Sequence, residues 1–264
     1  AAIAPGDHVH LQNLGMQDSS VTHRFAEDAR PTPLLPENER RTFQGYRRPN
    51  GLVGTRNFIG IITSVNCSAT VARAIADGFN RGGLAGFDNV DGVVALTHGT
   101  GCAINMKTEG YAYLQRVLSG YARNPNFGGI LMIGLGCETN QIDPIVKKFE
   151  LEEGPFLRTM TIQRLGGTRK TIEVASDIIR EMLPEVNAAT RTTVPLSGLK
   201  VALQCGGSDG YSGISANPAL GHAADLVVRN GGTAVLSETP EIYGAEHLLT
   251  RRAVTPRVAE QLMD

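Results

Sequence analysis

The sequence contains no tryptophan, and aromatic residues make up only 5% of the chain. Flat side chains on which nucleic-acid bases or sugar rings could stack are therefore scarce. The formal net charge is −1, so no basic surface is predicted to attract a nucleic acid or an anionic membrane. An uninterrupted apolar run of about 18 residues, as a transmembrane helix requires, is also missing.

Cysteine is scarce too, with four among 264 residues. A chain of this length is not a small disulfide-stapled scaffold. Its first residues lack the basic segment and apolar core of a signal peptide. We therefore expect reduced thiols and a cytoplasmic location. The chain also does not begin with methionine, and we expect it to be part of a longer protein.

Apolar strand-like runs alternate with amphipathic helical segments from residue 57 onward, which is typical of a parallel α/β sheet. The predicted fold is a Rossmann-like, doubly wound, mostly parallel sheet over 57–264, with a break near 184–198 that could divide it into two halves. An irregular linker and entry segment is expected over 15–56. The predicted elements are strands at 57–65, 92–97, 129–135, 156–162, 200–204 and 233–237, and helices at 68–80, 108–121, 142–150, 168–183, 218–230, 243–252 and 255–264.

The four cysteines each follow the end of a predicted strand, and three of them lie 35 residues apart. They are Cys67, Cys102, Cys137 and Cys205. Ligands of open parallel sheets bind outside the carboxyl ends of the strands, and thiolates are soft metal ligands. The spacing therefore favours one crevice lined by thiols. The alternative is that each cysteine is a small buried hydrophobe without a function.

The loops around these cysteines carry further chemical groups. His98, four residues before Cys102, is a candidate base or metal ligand, and Glu138 is a candidate acid that could instead cap the following helix. Asp209 is a second candidate acid, although an ordinary Asx turn would explain it equally well. A rival interpretation pairs Cys102 with His98 as a nucleophile and base.

Two further groups lie toward the amino terminus. Arg47 and Arg56 flank a Pro-Asn-Gly turn and are candidates for binding a substrate carboxylate, since arginine forms paired hydrogen bonds to that group. His8 and His10 are two residues apart in a predicted strand, so they would point to one face and could bind a metal together.

The combination of loop sequences resembles the altronate/galactarate dehydratase family. The resemblance covers essentially residues 43–252. It is carried by Gly45-Tyr46-Arg47-Arg48-Pro49-Asn50-Gly51, Gly54-Thr55-Arg56-Asn57, Asn66-Cys67, Thr97-His98-Gly99-Thr100-Gly101-Cys102, Gly134-Leu135-Gly136-Cys137-Glu138, Cys205-Gly206-Gly207-Ser208-Asp209-Gly210, Ser215-Ala216-Asn217-Pro218 and Glu238-x-Pro240-Glu241-x-x-Gly244-Ala245-Glu246.

The resemblance implies a hydro-lyase that dehydrates a hexonic or aldaric acid to a 2-keto-3-deoxy acid through a metal-stabilised enediolate. It implies iron as the cofactor, as Fe(II) or as an iron–sulfur cluster. The implied metal ligands are Cys67, Cys102, Cys137, Cys205, His8 and His10. The implied catalytic residues are His98, Glu138 and Asp209, and the implied substrate-binding residues are Arg47, Arg56, Thr100, Ser208, Ser212 and Asn217.

The same resemblance bears on domain organisation and partners. Residues 1–14 look like the end of a small SAF-type β domain, 57–264 like the family's central domain, and a C-terminal domain is expected to be absent. The expected partners are a sugar-acid substrate, those missing domains and further copies of the chain. Two alternatives remain: a C–S lyase similar to sulfolactate sulfo-lyase, and a ligand-binding fragment that is inactive alone.

Overall fold

The computed structural model describes residues 22–204, 206 and 209–264. The predicted strand over 1–14, His8, His10, Cys205 and Ser208 lie outside the described residues. The chain divides into two compact units. The first consists of Arg41–Gly198, and the second combines the segment up to Arg40 with Leu199–Asp264.

The Arg41–Gly198 unit contains two sheets. Its strands are β1 (Thr42–Arg47), β2 (Val53–Gly54), β3 (Phe58–Thr63), β4 (Gly92–Leu96), β5 (Phe127–Gly134), β6 (Leu157–Thr161) and β7 (Thr192–Pro195), and its helices are α1 (Ala69–Gly78), α2 (Glu109–Ala122), α3 (Ile142–Lys148) and α4 (Thr168–Asn187). One sheet has the order β2-β1-β7 and is antiparallel. The other has the order β4-β3-β5-β6 and is parallel throughout.

The parallel sheet confirms the predicted Rossmann-like α/β class. β3 comes first in the chain but lies between β4 and β5, so the connections leave β3 in opposite directions. In doubly wound sheets, ligands bind at such a switch point, beyond the carboxyl ends of the strands. The switch point of this unit lies between β3 and β5.

Helices cover both faces of the parallel sheet because its strands are apolar on both faces. Along β5, Leu131 and Ile133 pack in the same core cluster as Ile179 of α4, while Ile130 and Met132 pack with Ile145 of α3. This alternation follows from the two-residue period of a strand. The buried helix–sheet packing holds the carboxyl ends of β3, β4 and β5 in a fixed relation.

The antiparallel sheet corrects the expected irregular linker and adds a strand within the expected break, at whose end the two units divide. Residues 42–54 form β1 and β2, although 15–56 was expected to be irregular, and β7 lies inside the expected break at 184–198. β1 pairs with β7 from Thr42 opposite Pro195 to Gly45 opposite Thr192. Such short strands are stabilised by pairing with residues distant in sequence, which local periodicity does not reveal. Helix α4 also continues through Pro184 to Asn187.

The second unit contains a small parallel sheet of two strands, β8 (Lys200–Leu203) and β9 (Thr233–Leu236). Its helices are α5 (Ala216–Arg229), α6 (His247–Thr250) and α7 (Pro256–Met263). Thr255 caps α7 by accepting a hydrogen bond from the Val258 N–H, at 3.3 Å, and Pro256 follows at the first helical position. Among the described residues, no helix is long and apolar enough to cross a bilayer.

Asn57 fixes the amino edge of the parallel sheet. Its amide Nδ2 donates to the carbonyl oxygens of Asn89 (2.7 Å) and Val186 (2.9 Å), and its Oδ1 accepts from Arg48 Nη2 (2.9 Å). The residue is fully buried, so loss of its side chain would leave several polar groups unsatisfied. Asn57 therefore ties the entry to β3 to the end of α4.

We predict that Asn57→Ala lowers the free energy of unfolding by about 3 kcal/mol, since three hydrogen bonds near 1 kcal/mol each are lost. Urea denaturation of the full-length protein measures this change. Asn50→Ala is the matched control, because Asn50 is exposed and its side chain accepts one hydrogen bond, from Leu52 N. Equal destabilisation by the two variants would contradict the assignment.

Candidate functional site

Three of the four cysteines converge at the carboxyl edge of the parallel sheet. Cys67 follows β3, Cys102 follows β4 and Cys137 follows β5, and all three are free and exposed. Cys102 and Cys137 lie close enough to Cys67 to raise the pKa of its thiol. We call these three side chains the thiol cluster. The switch point between β3 and β5 therefore carries the convergence that the cysteine spacing predicts.

Backbone hydrogen bonds join the three loops that carry the thiol cluster. Asn66 N donates to Thr100 O at 2.9 Å, which ties the β3 loop to the β4 loop. Thr139 N donates to Cys102 O at 3.0 Å, which ties the β5 loop to the β4 loop. Gly101 allows this close packing, because it has φ +97° and a Cβ there would lie 2.4 Å from Ser64 O.

Glu138 is the buried centre of this arrangement, with only 3% of its surface exposed. Its Oε1 accepts hydrogen bonds from Ser64 Oγ (2.7 Å) and Leu135 N (3.1 Å), and its Oε2 accepts from Gly136 N (2.6 Å). Burial acts to raise the pKa of Glu138, but hydrogen bonds from Ser64 and from backbone N–H groups outweigh it and lower the pKa. The side chain is therefore a carboxylate whose lone pairs are already in use.

This environment changes the interpretation of Glu138. A residue that donates a proton to a substrate must reach it and must hold that proton at working pH. Glu138 is enclosed and favours its ionised form. The geometry therefore supports a positioning role for Glu138 in place of the expected acid role.

His98 lies in the same region, and its tautomer follows from its two partners. Nε2 lies 2.9 Å from the carbonyl oxygen of Thr63, which can only accept, so Nε2 carries the hydrogen. Nδ1 accepts a hydrogen bond of 3.3 Å from Thr100 N. Nδ1 therefore carries the lone pair. The one hydrogen bond to it among the described residues, from Thr100 N, is long. The ring is oriented as a proton acceptor at one defined atom.

The thiol cluster has a donor set that suits a soft cation. Partial desolvation raises the pKa of Cys67, and the neighbouring Cys102, Cys137 and Glu138 raise it further. The raised pKa favours the protonated thiol of Cys67, and a cation bound by the three sulfur atoms would favour the thiolate form instead. Within the described residues, no three His, Cys, Asp or Glu side chains already stand in a geometry that would hold an ion.

Arg47 and Arg56 do not join the thiol cluster. Arg47 ends β1 in the antiparallel sheet, and Arg56 precedes β3 and pairs with Asp91 at 3.4 Å. β3 separates Arg56 from the carboxyl edge by roughly 20 Å, at about 3.3 Å per residue. The expected role of these arginines as carboxylate ligands at the thiols is therefore not supported by their positions.

Asp209, Ser212 and Asn217 belong to the second unit. Asp209 Oδ1 accepts from Tyr211 N at 2.9 Å, and Asp209 O accepts from Ser212 Oγ at 2.6 Å. Asn217 N donates to Ser212 O at 2.8 Å. These contacts build an Asx-type turn before α5, which is the ordinary structural alternative for this loop. Their predicted roles as acid and substrate ligands stay predictions.

Sequence reasoning missed three residues around the thiol cluster. Gln163, which follows β6, lies with its Nε2 3.4 Å from Cys137 Sγ. Asn140 is fully buried and donates from Nδ2 to Ser64 O at 2.9 Å, while its Oδ1 has no partner among the described atoms. Ser64 contacts Glu138 directly. The position of Gln163 just past the fourth strand was the signal available in the sequence.

Comparison with known sequences identifies the family of the chain. Residues 45–187 match the sequence model described as D-galactarate dehydratase/altronate hydrolase, second domain, and residues 196–264 match D-galactarate/altronate dehydratase, C-terminal. The chain belongs to the D-galactarate/altronate dehydratase family. The boundary between the two matches lies within the expected break at 184–198, and the second match is to the domain described as C-terminal, which was expected to be absent.

Individual members of the D-galactarate/altronate dehydratase family are similar over most of this chain. An altronate dehydratase of Bacillus subtilis (strain 168) is 36% identical over 269 residues, which are 99% of this chain and 51% of the relative. A galactarate dehydratase (L-threo-forming) of Escherichia coli (strain K12) is 39% identical over 270 residues, 100% of this chain and 51% of the relative. The chain thus spans about half the length of these relatives.

A relative named for a different activity is similar as well. The (2R)-sulfolactate sulfo-lyase subunit beta of Chromohalobacter salexigens is 33% identical over 226 residues, which are 84% of this chain and 52% of the relative. Dehydratase-family relatives therefore include a protein named for releasing a sulfur leaving group.

We predict that Glu138→Gln lowers the free energy of unfolding at pH 7 and makes that free energy depend less on pH in acid. The lowered pKa means that the folded state stabilises the carboxylate, and this stabilisation is present above about pH 4.5 and lost as pH falls through the lowered value. Unfolding of the full-length protein between pH 7 and pH 3 should show a loss of about 2 kcal/mol at pH 7 in the variant, and less further loss in acid.

Glu173→Gln provides the control for this pH series, because Glu173 is exposed and forms a surface ion pair with Lys170 of the same helix, at 3.2 Å. Its acid denaturation should follow that of the unsubstituted protein. An unchanged pH dependence in Glu138→Gln would show that the Glu138 network does not stabilise the ionised carboxylate.

Proposed function

We propose that this chain carries the metal and proton-transfer part of a sugar-acid hydro-lyase that dehydrates a hexonic or aldaric acid to a 2-keto-3-deoxy acid. The observation that carries the proposal is the convergence of three exposed thiols and an oriented imidazole at the switch point of the parallel sheet. Similarity to relatives named altronate and galactarate dehydratase supports the substrate class. Free, exposed thiols agree with a cytoplasmic location.

The reaction removes a proton from C2, beside the carboxylate, and the hydroxyl from C3. The base takes the C2 proton, the C2–H electron pair becomes the C2=C3 double bond, and the C3–O bond breaks with its electrons on oxygen. The leaving hydroxide takes a proton from the protonated base or from solvent and departs as water. The resulting enol then becomes the 2-keto-3-deoxy acid by proton transfer. Negative charge develops on the substrate carboxylate as the C2 proton leaves, so an adjacent positive charge would accelerate this step.

Cys67, Cys102 and Cys137 are the residues that would hold the metal, with Fe(II) as the proposed ion. A bound divalent ion supplies the positive charge that the developing enolate needs. The protein's own contribution is to bring three soft donors together from three different loops, which the backbone hydrogen bonds between those loops hold in place. The thiols face solvent, so a substrate can reach them.

His98 Nδ1 is the proposed base. The Nε2–H group donates to Thr63 O, which fixes both the tautomer and the ring plane. Nδ1 accepts the C2 proton once its hydrogen bond from Thr100 N is broken. That bond is 3.3 Å long, so breaking it costs little free energy. Glu138 acts indirectly, because it orders the β5 loop that presents Cys137.

A C–S lyase is the second candidate, favoured by the similarity to the sulfolactate sulfo-lyase subunit. Both reactions begin with the loss of a proton beside a carboxylate, and they differ in the group that leaves the neighbouring carbon. The same thiol cluster and His98 would serve both. Turnover of altronate, galactarate and sulfolactate by the full-length protein separates the two functions.

We predict that Cys67→Ser, Cys102→Ser and Cys137→Ser each reduce iron content and keto-acid formation by at least about tenfold, because hard hydroxyl groups replace soft donors. Anaerobic purification of the full-length protein, metal analysis and a keto-acid assay measure both effects. Ala103→Ser is the control, since Ala103 is exposed beside Cys102 and carries no thiol. Normal turnover in all three thiol variants, or in fully chelated protein, would refute the metal assignment.

His98→Gln tests the proposed base separately. Glutamine can keep the donor to Thr63 O but lacks the Nδ1 lone pair, so we predict that the turnover rate falls by about a hundredfold or more, while KM and iron content change little. A purely structural His98 predicts the opposite result: activity retained in His98→Gln and lost, with stability, in His98→Ala. Stopped-time assays and thermal unfolding of both variants distinguish the two roles.

A further inference from the structure

A cavity of about 210 Å³ lies beside β6, on the side of the sheet covered by α3. The polar residues that line it are Asp143, Thr159, Thr161 and Arg164, and apolar surface comes from Ile142 and Leu165. Thr161 is the last residue of β6, so the cavity opens at the same carboxyl edge as the thiol cluster. We call it the distal cavity.

The distal cavity adjoins the thiol cluster through the loop that follows β6. Gln163 contacts Cys137 through its Nε2, 3.4 Å from the sulfur, and the next residue, Arg164, lines the cavity. On the other side, the β5 loop runs from Cys137 into α3, whose first residues Ile142 and Asp143 also line it. A molecule bound at the thiols therefore has this cavity as a neighbour on the β6 side.

The polar groups of the distal cavity are poorly satisfied within the protein. Thr161 Oγ1 is buried and has no hydrogen-bond partner in the described part of the chain. Among the described residues, no carboxylate lies within ion-pair distance of Arg164, and no cation lies within that distance of Asp143. A ligand that supplies hydrogen-bond partners to such unsatisfied groups binds with a more favourable free energy.

The lining chemistry matches a polyhydroxylated carbon chain. A carboxylate such as Asp143 accepts hydrogen bonds from hydroxyl groups, a guanidinium such as Arg164 donates them, and threonine hydroxyls do both. The apolar side chains of Ile142 and Leu165 fit the C–H groups of such a ligand. Arg164 is also suited to a carboxylate at the far end of the ligand, which it can bind with two parallel hydrogen bonds.

We propose that the distal cavity binds the hydroxylated end of the substrate remote from C2, and that Arg164 recognises a second carboxylate there when the substrate is an aldaric acid. This inference rests on the proposed function, since that function places C2 at the thiol cluster. Asp143 opposes Arg164 in charge, so the two residues set the preference between a diacid and a monoacid. Arg164 thus takes the carboxylate-binding role that the positions of Arg47 and Arg56 do not support.

The opposed charges predict substitutions with opposite effects. Galactarate and galactonate are the probes, because they differ only in the oxidation state of C6. Arg164→Gln should weaken galactarate binding about tenfold and galactonate binding less than about threefold. Asp143→Asn should instead raise the preference for galactarate over galactonate, because a repelling charge is removed. Isothermal titration of metal-free full-length protein measures both affinities without requiring turnover.

Arg158→Gln is the matched control, because Arg158 is an exposed arginine on the opposite face of β6 and does not line the cavity. It should leave both affinities unchanged. The proposal is overturned if Arg164→Gln weakens both acids equally or neither, if Asp143→Asn shifts the preference toward galactonate, or if neither acid binds the unsubstituted protein.

A keto-acid assay on the same variants, now loaded with iron, separates this inference from the proposed function. The expected shift in affinity ratio without any dehydration would support the distal cavity and overturn the hydro-lyase function. Dehydration of both acids with an unchanged ratio in both variants would support the function and overturn the distal cavity.

Discussion

A buried carboxylate connects the ends of the two strands that flank the switch point. Glu138 receives hydrogen bonds from Ser64, which follows β3, and from the backbone of the β5 loop in which it lies. Asn140 reinforces this connection by donating to Ser64 O. A buried ionised group is tolerated only when its lone pairs are satisfied. The loops must therefore keep this geometry to stabilise the ionised carboxylate. Because Cys67 and Cys137 lie on these loops, the same geometry positions their thiols.

The site separates buried, hydrogen-bonded groups from the exposed groups to which we assign the chemistry. Glu138, Asn140 and Ser64 are buried and hydrogen bonded, whereas the three thiols next to them are exposed. Supporting groups with fixed rotamers allow reactive side chains to be held accurately at a solvent-accessible edge. His98 follows the same logic, because one ring nitrogen is tied to Thr63 O and the other is loosely held.

The sequence was sufficient to predict the parallel α/β class, because apolar strands alternate with amphipathic helices. It was sufficient to predict the convergence of three thiols, because each cysteine comes just after an apolar strand. It was also sufficient to exclude Arg56 from the thiols, since a residue before a strand and a residue after it lie at opposite edges. This directional rule was applied only to the cysteines, and the carboxylate-binding role of Arg56 stays a prediction. The β1–β7 pair joins segments about 150 residues apart, and local patterns contain no information about such pairing. The burial of Glu138 likewise depends on Ser64, 74 residues earlier.

The central claim is that the thiols at the switch point form one soft metal site. X-ray absorption spectroscopy of the iron-loaded full-length protein, purified anaerobically, tests it most directly. The account predicts a sulfur shell near 2.3 Å, as is usual for metal–thiolate bonds, that loses amplitude when Cys67 is replaced by serine. An iron environment of oxygen and nitrogen alone, unchanged by that substitution, would contradict it.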